Sequence, residues 1–124
     1  MSFTPQLLFE DNHLLVVEKP TNLLSPADHS GIPDLLSLLK GWIKQRDQKP
    51  GQVFLGLVQR LDRPVGGVMV FAKTSKAASR LADQVRQRTL QKTYLAVAAG
   101  VVDPPEGTLT DWLQKNHHLS LIHI

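Results

Sequence analysis

A chain of 124 residues, 42% of them hydrophobic and 20% charged, has room for one core of ordinary domain size and is too apolar to read as disordered. It has no cysteine, which excludes disulfides and a thiolate nucleophile. No run reaches the ~18 apolar residues of a membrane-spanning helix, and no basic segment leads into a signal-like apolar stretch. A cytoplasmic protein without membrane attachment is therefore expected, and its net charge is only +3.

Leu7 to Glu10 and Leu14 to Glu18 read as two strands around an Asp11-Asn12 turn, a hairpin signal. A loop rich in Ser, Pro, Asp and Gly follows from Leu24 to Gly31. Pro33 suits the first turn of a helix, on which Leu35, Leu38, Leu39, Trp42 and Ile43 recur on one face. The polar stretch Gln45 to Gln52, with Pro50 and Gly51, ends that helix. Phe54 to Val58 and Val68 to Ala72 read as strands flanking a charged turn. Ser75 suits an N-cap for a helix to about Arg88, with Ala78, Leu81, Ala82 and Val85 inward. Lys92 to Ala99 alternates as a strand, and Asp103 to Gly107 turns the chain into Thr108 to Leu113. No internal repeat or linker interrupts this order, so one domain of α/β character is expected.

The charged turn is the most informative stretch. Arg60, Leu61, Asp62 and Arg63 precede Pro64 and the pair Gly66 and Gly67, so one carboxylate lies between two guanidinium groups, which would keep it ionised. The glycines remove Cβ atoms where a bulky partner could approach the backbone. Taken alone, the pattern suits a catalytic carboxylate and a structural Arg60–Asp62 ion pair equally well.

Charge is distributed unevenly around this turn. Between Arg60 and Lys92 stand eight basic residues against two acidic ones, a local balance of +6. That concentration suits a polyanionic partner, because phosphate neutralisation and counterion release supply much of nucleic-acid affinity. A solvated helix face is the plainer alternative.

The run Gln59 to Thr74 resembles the catalytic signature of the RluA-type RNA pseudouridine synthases: His, Arg, Leu, Asp, a few variable residues, a small residue and Gly, then an apolar strand ending in Ala-Lys-Thr. Glu18 to Pro26 resembles that family's early Lys-Pro loop, Ser75 to Leu81 its following helix, and Lys92 to Ala96 its Lys-x-Tyr strand. Four ordered segments, over roughly Leu7 to Asn116, carry the resemblance. It implies a mixed, mainly antiparallel sheet with flanking helices, incomplete at its C-terminal end, and cofactor-free, metal-free conversion of uridine to pseudouridine in structured RNA, ribosomal or transfer, by a monomer. Asp62 would be the catalytic carboxylate, with Arg60 orienting it and Tyr94 lining the pocket. Arg63, Lys73, Lys76, Lys92 and Lys19 would contact RNA.

Other readings of these residues stand beside the family one. Tyr94 could pack a strand face and Lys19 could be a surface charge, while Trp42 and Trp112 sit in apolar patterns and read as core. His117 and His118 are adjacent and, with His123, lack nearby cysteines or carboxylates, so no zinc site is expected.

The chain departs from the family pattern at Gln59 in place of His, Gly66 in place of Ser or Thr, and Asn22 in place of Gly, the last eased by the tolerance of Asn for positive φ. The family's later Gly-Arg-x-His-Gln-x-Arg-like segment is missing before Ile124. Residues 1–116 are therefore read as a partial catalytic domain, and residues 117–124 as a tail foreign to it, from a frameshift or an artificial end. A second reading follows, in which the chain is a non-catalytic RNA-binding remnant. A third, a hydrolytic nucleosidase, would release free uracil and ranks last because no second carboxylate is placed to activate water.

Overall fold

The computed structural model describes residues 3–118 and the backbone of 120–123. It divides into two units, Met1–Lys92 and Thr93–Ile124. The first unit runs β1 (Gln6–Glu10), β2 (Leu14–Lys19), α1 (Leu35–Arg46), β3 (Gly56–Leu57), β4 (Gly67–Ala72) and α2 (Ser75–Arg86). Its strands form one antiparallel sheet in the order β1-β2-β4-β3. The mixed α and β fold expected from the sequence is thus present.

Side-chain alternation explains the layering. In the β2–β4 register Leu15 faces Phe71 and Val17 faces Met69, and all four are completely buried. Successive strand residues point to opposite faces, so these four share one face, where they join Leu35, Leu39 and Ile43 of α1. The alternate residues Leu14, Val70 and Ala72 meet Ala77, Ala78 and Leu81 of α2 on the other face. One helix on each face of the sheet is the result.

Local chemistry places the element ends. The Asp11 carboxylate accepts from the Nα of His13 and of Leu14, both at 2.7 Å, which closes the first hairpin; these bonds hold its pKa below the usual value. Pro33 lies just outside α1, because Asp34 is the cap: its φ of −127° is extended and its carboxylate accepts from Ser37 N at 2.9 Å. Thr74, not Ser75, caps α2, accepting from Ala77 N at 3.1 Å. A cap bonds the amide three residues on, which puts Ser75 inside the first turn. The helix stops at Arg86, two residues short of the expected end, and Arg88 has a φ of +58° that no right-handed helix can accommodate.

An ion cluster ties α1 to the sheet. Arg46 grips Glu10 through two bonds of 2.6 and 2.9 Å and lies 4.5 Å from the Trp42 ring centroid. Lys73 Nζ donates to Glu10 Oε2 at 2.7 Å and to Asp11 O at 2.8 Å. The hydrogen bond from Arg46, with help from Lys73, lowers the Glu10 pKa to about 2. Because that value is depressed on folding, the cluster's contribution is complete above about pH 4.5 and is lost as pH falls through about 2. Glu10→Gln should cost about 1–2 kcal/mol near neutral pH, a figure reduced for solvent screening. The stability gap to the parent should close on acidification; a gap that stayed constant down to pH 2 in denaturant titrations would reject the assignment.

The second unit contains β5 (Leu113–Asn116) paired antiparallel with β6 (Ser120–His123). The backbone expected to belong to a foreign tail thus forms one strand of this hairpin, while Leu119, Ile124 and the side chains of 120–123 lie outside the described residues. Lys92 to Ala99 is not a strand. Leu95 and Val97 are fully exposed, and among the described residues no strand pairs with this stretch: alternation alone cannot make a strand without a hydrogen-bonding neighbour. Among the described residues no helix is long and apolar enough to cross a membrane.

Candidate active site

The loop between β3 and β4 carries the charged turn, and its backbone is pinned from three sides. At its base, Gln59 Nε2 donates to Val68 O at 3.3 Å. Next, the peptide groups of Leu61 clasp one hydroxyl: Leu61 N donates to Ser25 Oγ at 3.0 Å and Ser25 Oγ donates to Leu61 O at 2.7 Å. Beyond Asp62, Lys19 Nζ donates to Arg63 O at 3.2 Å. Asp62 O accepts from Val65 N at 2.9 Å to close the turn itself.

Two of these three side chains, Ser25 and Lys19, are themselves held. Ser25 is buried to 2% exposure, and its strand-like segment is stitched to the start of α1 by Leu35 N to Leu24 O (2.7 Å) and Leu36 N to Ser25 O (3.0 Å). Lys19 ends β2 on the α1 face of the sheet and is completely buried. Its ammonium also donates to Pro20 O at 3.0 Å and to Leu23 O. Burial pushes the Lys19 pKa below the usual lysine range, and the Asp62 charge offsets part of that. Asn22, at φ +66°, takes the left-handed conformation that the Lys-Pro loop requires.

The glycines act differently from one another. A Cβ on Gly66 would come within 3.1 Å of Lys19 O and 3.3 Å of Thr21 Cγ2, so the partner approaching this backbone is the chain's own Lys-Pro loop. Gly67 has a φ of +152°, which L side chains rarely adopt.

Above this framework Arg60, Asp62 and Arg63 are exposed. Among the described residues none of the three side chains forms an ion pair or hydrogen bond, so no Arg60–Asp62 pair caps the hairpin. A fixed backbone that presents an unpaired carboxylate between two unpaired guanidinium groups is suited to an outside partner. Arg63 also helps to lower the pKa of Asp28, although the hydrogen bonds from Ser30 are the larger cause.

The remaining expected site residues are placed as follows. Lys19 is buried beneath the loop, with its three bonds directed at carbonyls, and does not reach solvent. Lys73 follows β4 at the far end of the sheet from the loop, engaged with Glu10. Lys76 and Lys92 are exposed. Tyr94 belongs to the second unit and is 61% exposed. Ser25 had no role in the sequence reading: a serine before a proline in a polar loop looks like ordinary turn chemistry, and its partner lies 36 residues away.

Ser25→Ala should leave both Leu61 peptide groups without their partner. A cost of about 1–3 kcal/mol is expected, a fall of several degrees in Tm. An unchanged melting curve would remove Ser25 from the framework.

A family profile described as RNA pseudouridylate synthase matches residues 13–123. The chain belongs to this family. Among curated pseudouridine synthases, the ribosomal large subunit synthase D of Nitrosomonas europaea is 38% identical over 109 residues, covering 82% of this chain and 31% of that protein. The ribosomal large subunit synthase C of Escherichia coli is 38% identical over 94 residues, covering 76% and 28%. The solved human RNA pseudouridylate synthase domain containing 4 superposes with a TM-score of 0.56 at 26% identity, over 67% of this chain and 30% of that one. The chain therefore spans about a third of the length of the curated relatives it matches. Membership in the pseudouridine synthase family agrees with the resemblance carried by Gln59 to Thr74 and the Lys-Pro loop.

Proposed function

We infer that this chain carries the catalytic carboxylate of an enzyme that isomerises uridine to pseudouridine in RNA, and that Asp62 is that carboxylate. The observation that carries this reading is the combination of a backbone held on both sides of Asp62 with a side chain that makes no bond of its own among the described residues. The reaction conserves every atom of the nucleotide. The bond from N1 to C1′ breaks, the uracil turns while trapped, C5 bonds to C1′, and the C5 proton leaves as N1 gains one. Asp62 would act on the ribose, either by attack at C1′ or by assisting elimination across C1′ and C2′; both are recognised uses of a carboxylate in glycosidic chemistry. No cofactor or metal takes part.

Arg60 and Arg63 would orient Asp62 and meet the phosphates beside a nucleotide that has left its stack. Lys76 and Lys92, both exposed, would meet RNA, whereas Lys19 and Lys73 are engaged within the framework. The relatives are named for the large ribosomal subunit, so large-subunit RNA is the first substrate to offer, and the expected compartment is the cytoplasm.

A second reading is favoured by the second unit, where Leu95, Val97, Val101 and Leu109 are more than 90% exposed and, among the described residues, no core forms around them. In that reading the chain binds RNA without turnover. Release of tritium from C5-labelled uridine in large-subunit RNA separates the two. Release supports the isomerase; salt-sensitive binding without release supports the second reading; free uracil would show hydrolysis and reject both.

A further inference from the structure

The geometry points to a second RNA contact, a groove along α2 that holds the strand flanking the target nucleotide at the opposite end of β4 from Asp62. The inference rests on the RNA substrate proposed above. The groove has a volume of about 270 Å³ and lies between α2 and the turn joining β1 to β2. Its floor is apolar, built from Leu14, Ala77 and Leu81. Lys76 and Arg80 form one rim, with Gln84 a turn further on, and His13 stands on the other.

Three features favour a polyanion there. Lys76 and Arg80 are one helical turn apart, about 6 Å along the axis, a spacing at which two phosphates of one strand can each be met. Both are exposed and, among the described residues, neither has a carboxylate partner. The acids nearby are already engaged: Asp83 by Arg86, Glu10 by Arg46 and Lys73, and Asp11, which lines the groove, by the amides of its own turn. Removing the paired Lys73 and Arg86 from the basic stretch leaves Arg60, Arg63, Lys76, Arg80, Arg88 and Lys92 as cations without a carboxylate partner among the described residues. Arg60 and Arg63 lie on the Asp62 loop, Lys76 and Arg80 on α2, and Arg88 and Lys92 just beyond it.

A cationic rim above an apolar floor is the combination used for single strands, with phosphates on the charges and base faces on the apolar surface. The six residues of β4 separate loop and groove by about 17 Å, so one strand can occupy both a few nucleotides apart. The groove would therefore contribute affinity and not chemistry.

The test compares the 124-residue chain with K76Q/R80Q and with K40Q/K44Q. The second pair removes two lysines, also one turn apart, that line a separate groove on α1. Binding of a fluorescein-labelled oligouridylate of about 16 nucleotides is followed between about 50 and 200 mM salt. Loss of two phosphate contacts should flatten the slope of log K against log salt by about 1.4 in K76Q/R80Q and leave K40Q/K44Q unchanged. In the unsubstituted chain, RNA should protect Lys76 from reductive methylation while Lys44 stays reactive, a readout independent of any variant's folding.

An unchanged slope, equal flattening in the α1 pair, equal methylation of Lys76 with and without RNA, or equally tight binding of polyglutamate would each overturn the groove. Absence of tritium release with the slope change intact would instead remove the isomerase reading and leave the groove standing.

Discussion

Asp62→Asn is expected to abolish pseudouridine formation, by about 10⁴-fold or to background, while the protein melts as before and still binds RNA. The size of the loss follows from the role. A group that forms or breaks bonds at the ribose cannot be replaced by an amide that is neither nucleophilic nor basic. The survival of the fold follows from the surroundings: the carboxylate is exposed and accepts no hydrogen bond among the described residues, so its neutralisation should stay within the ±0.5 kcal/mol typical of surface changes. Binding should hold or tighten slightly, because a negative charge is removed from between Arg60 and Arg63. Asp62→Glu sharpens the test, since it keeps the charge but moves it by about one bond length, and a misplacement of ~1 Å can cost ~10²-fold. Tritium release within tenfold of the parent for Asp62→Asn would end the assignment of the carboxylate, whatever the family.

The chain's first unit was legible wherever a short-range pattern determines structure. The run Leu14 to Val17 reads as a strand because β2 is covered on both faces, Leu15 and Val17 by α1 and Leu14 by α2, and a short apolar run bounded by turn signals records that. Asp11 marks the hairpin because its own carboxylate bonds the amides two and three residues on. The Arg60 to Arg63 turn was visible as a charge pattern, and its placement between two strands held.

What escaped was everything that depends on distant convergence. The burial of Lys19 comes from carbonyls of residues 20, 23 and 63 gathering round one ammonium, and a lysine's type argues for the surface until those partners are known. The Ser25 clasp on Leu61 joins segments that share no pattern. Gly66 looked like room for a ligand, whereas the approach it permits is that of Lys19 and Thr21. Lys92 to Ala99 has the alternation of a strand but, among the described residues, no strand to pair with, which no pattern inside the segment could reveal.

Lys19→Met should be the most destabilising single change around the site. Methionine matches much of the aliphatic stem, so little packing is lost; what disappears is the ammonium that satisfies the carbonyls of Pro20, Leu23 and Arg63. Each buried carbonyl left without its donor costs about 1–3 kcal/mol, and with three of them affected the total is a large share of the 5–15 kcal/mol that holds a typical domain together. A loss of that size lowers Tm by well over 10 °C in a unit of this length. The effect should also be local. Arg63 O is the only one of the three acceptors on the Asp62 loop, and Ser25 still holds Leu61 on the other side, so the turn should loosen from its C-terminal half. Amide exchange reads this directly: Val65 N, bonded to Asp62 O, should exchange faster in Lys19→Met by more than the global loss of stability explains, whereas Leu61 N should follow the global loss alone. Equal acceleration at both amides would mean that Lys19 supports the fold as a whole without fixing the position of Asp62. An unchanged Tm would mean that its buried charge contributes nothing net, and the framework would then rest on Ser25.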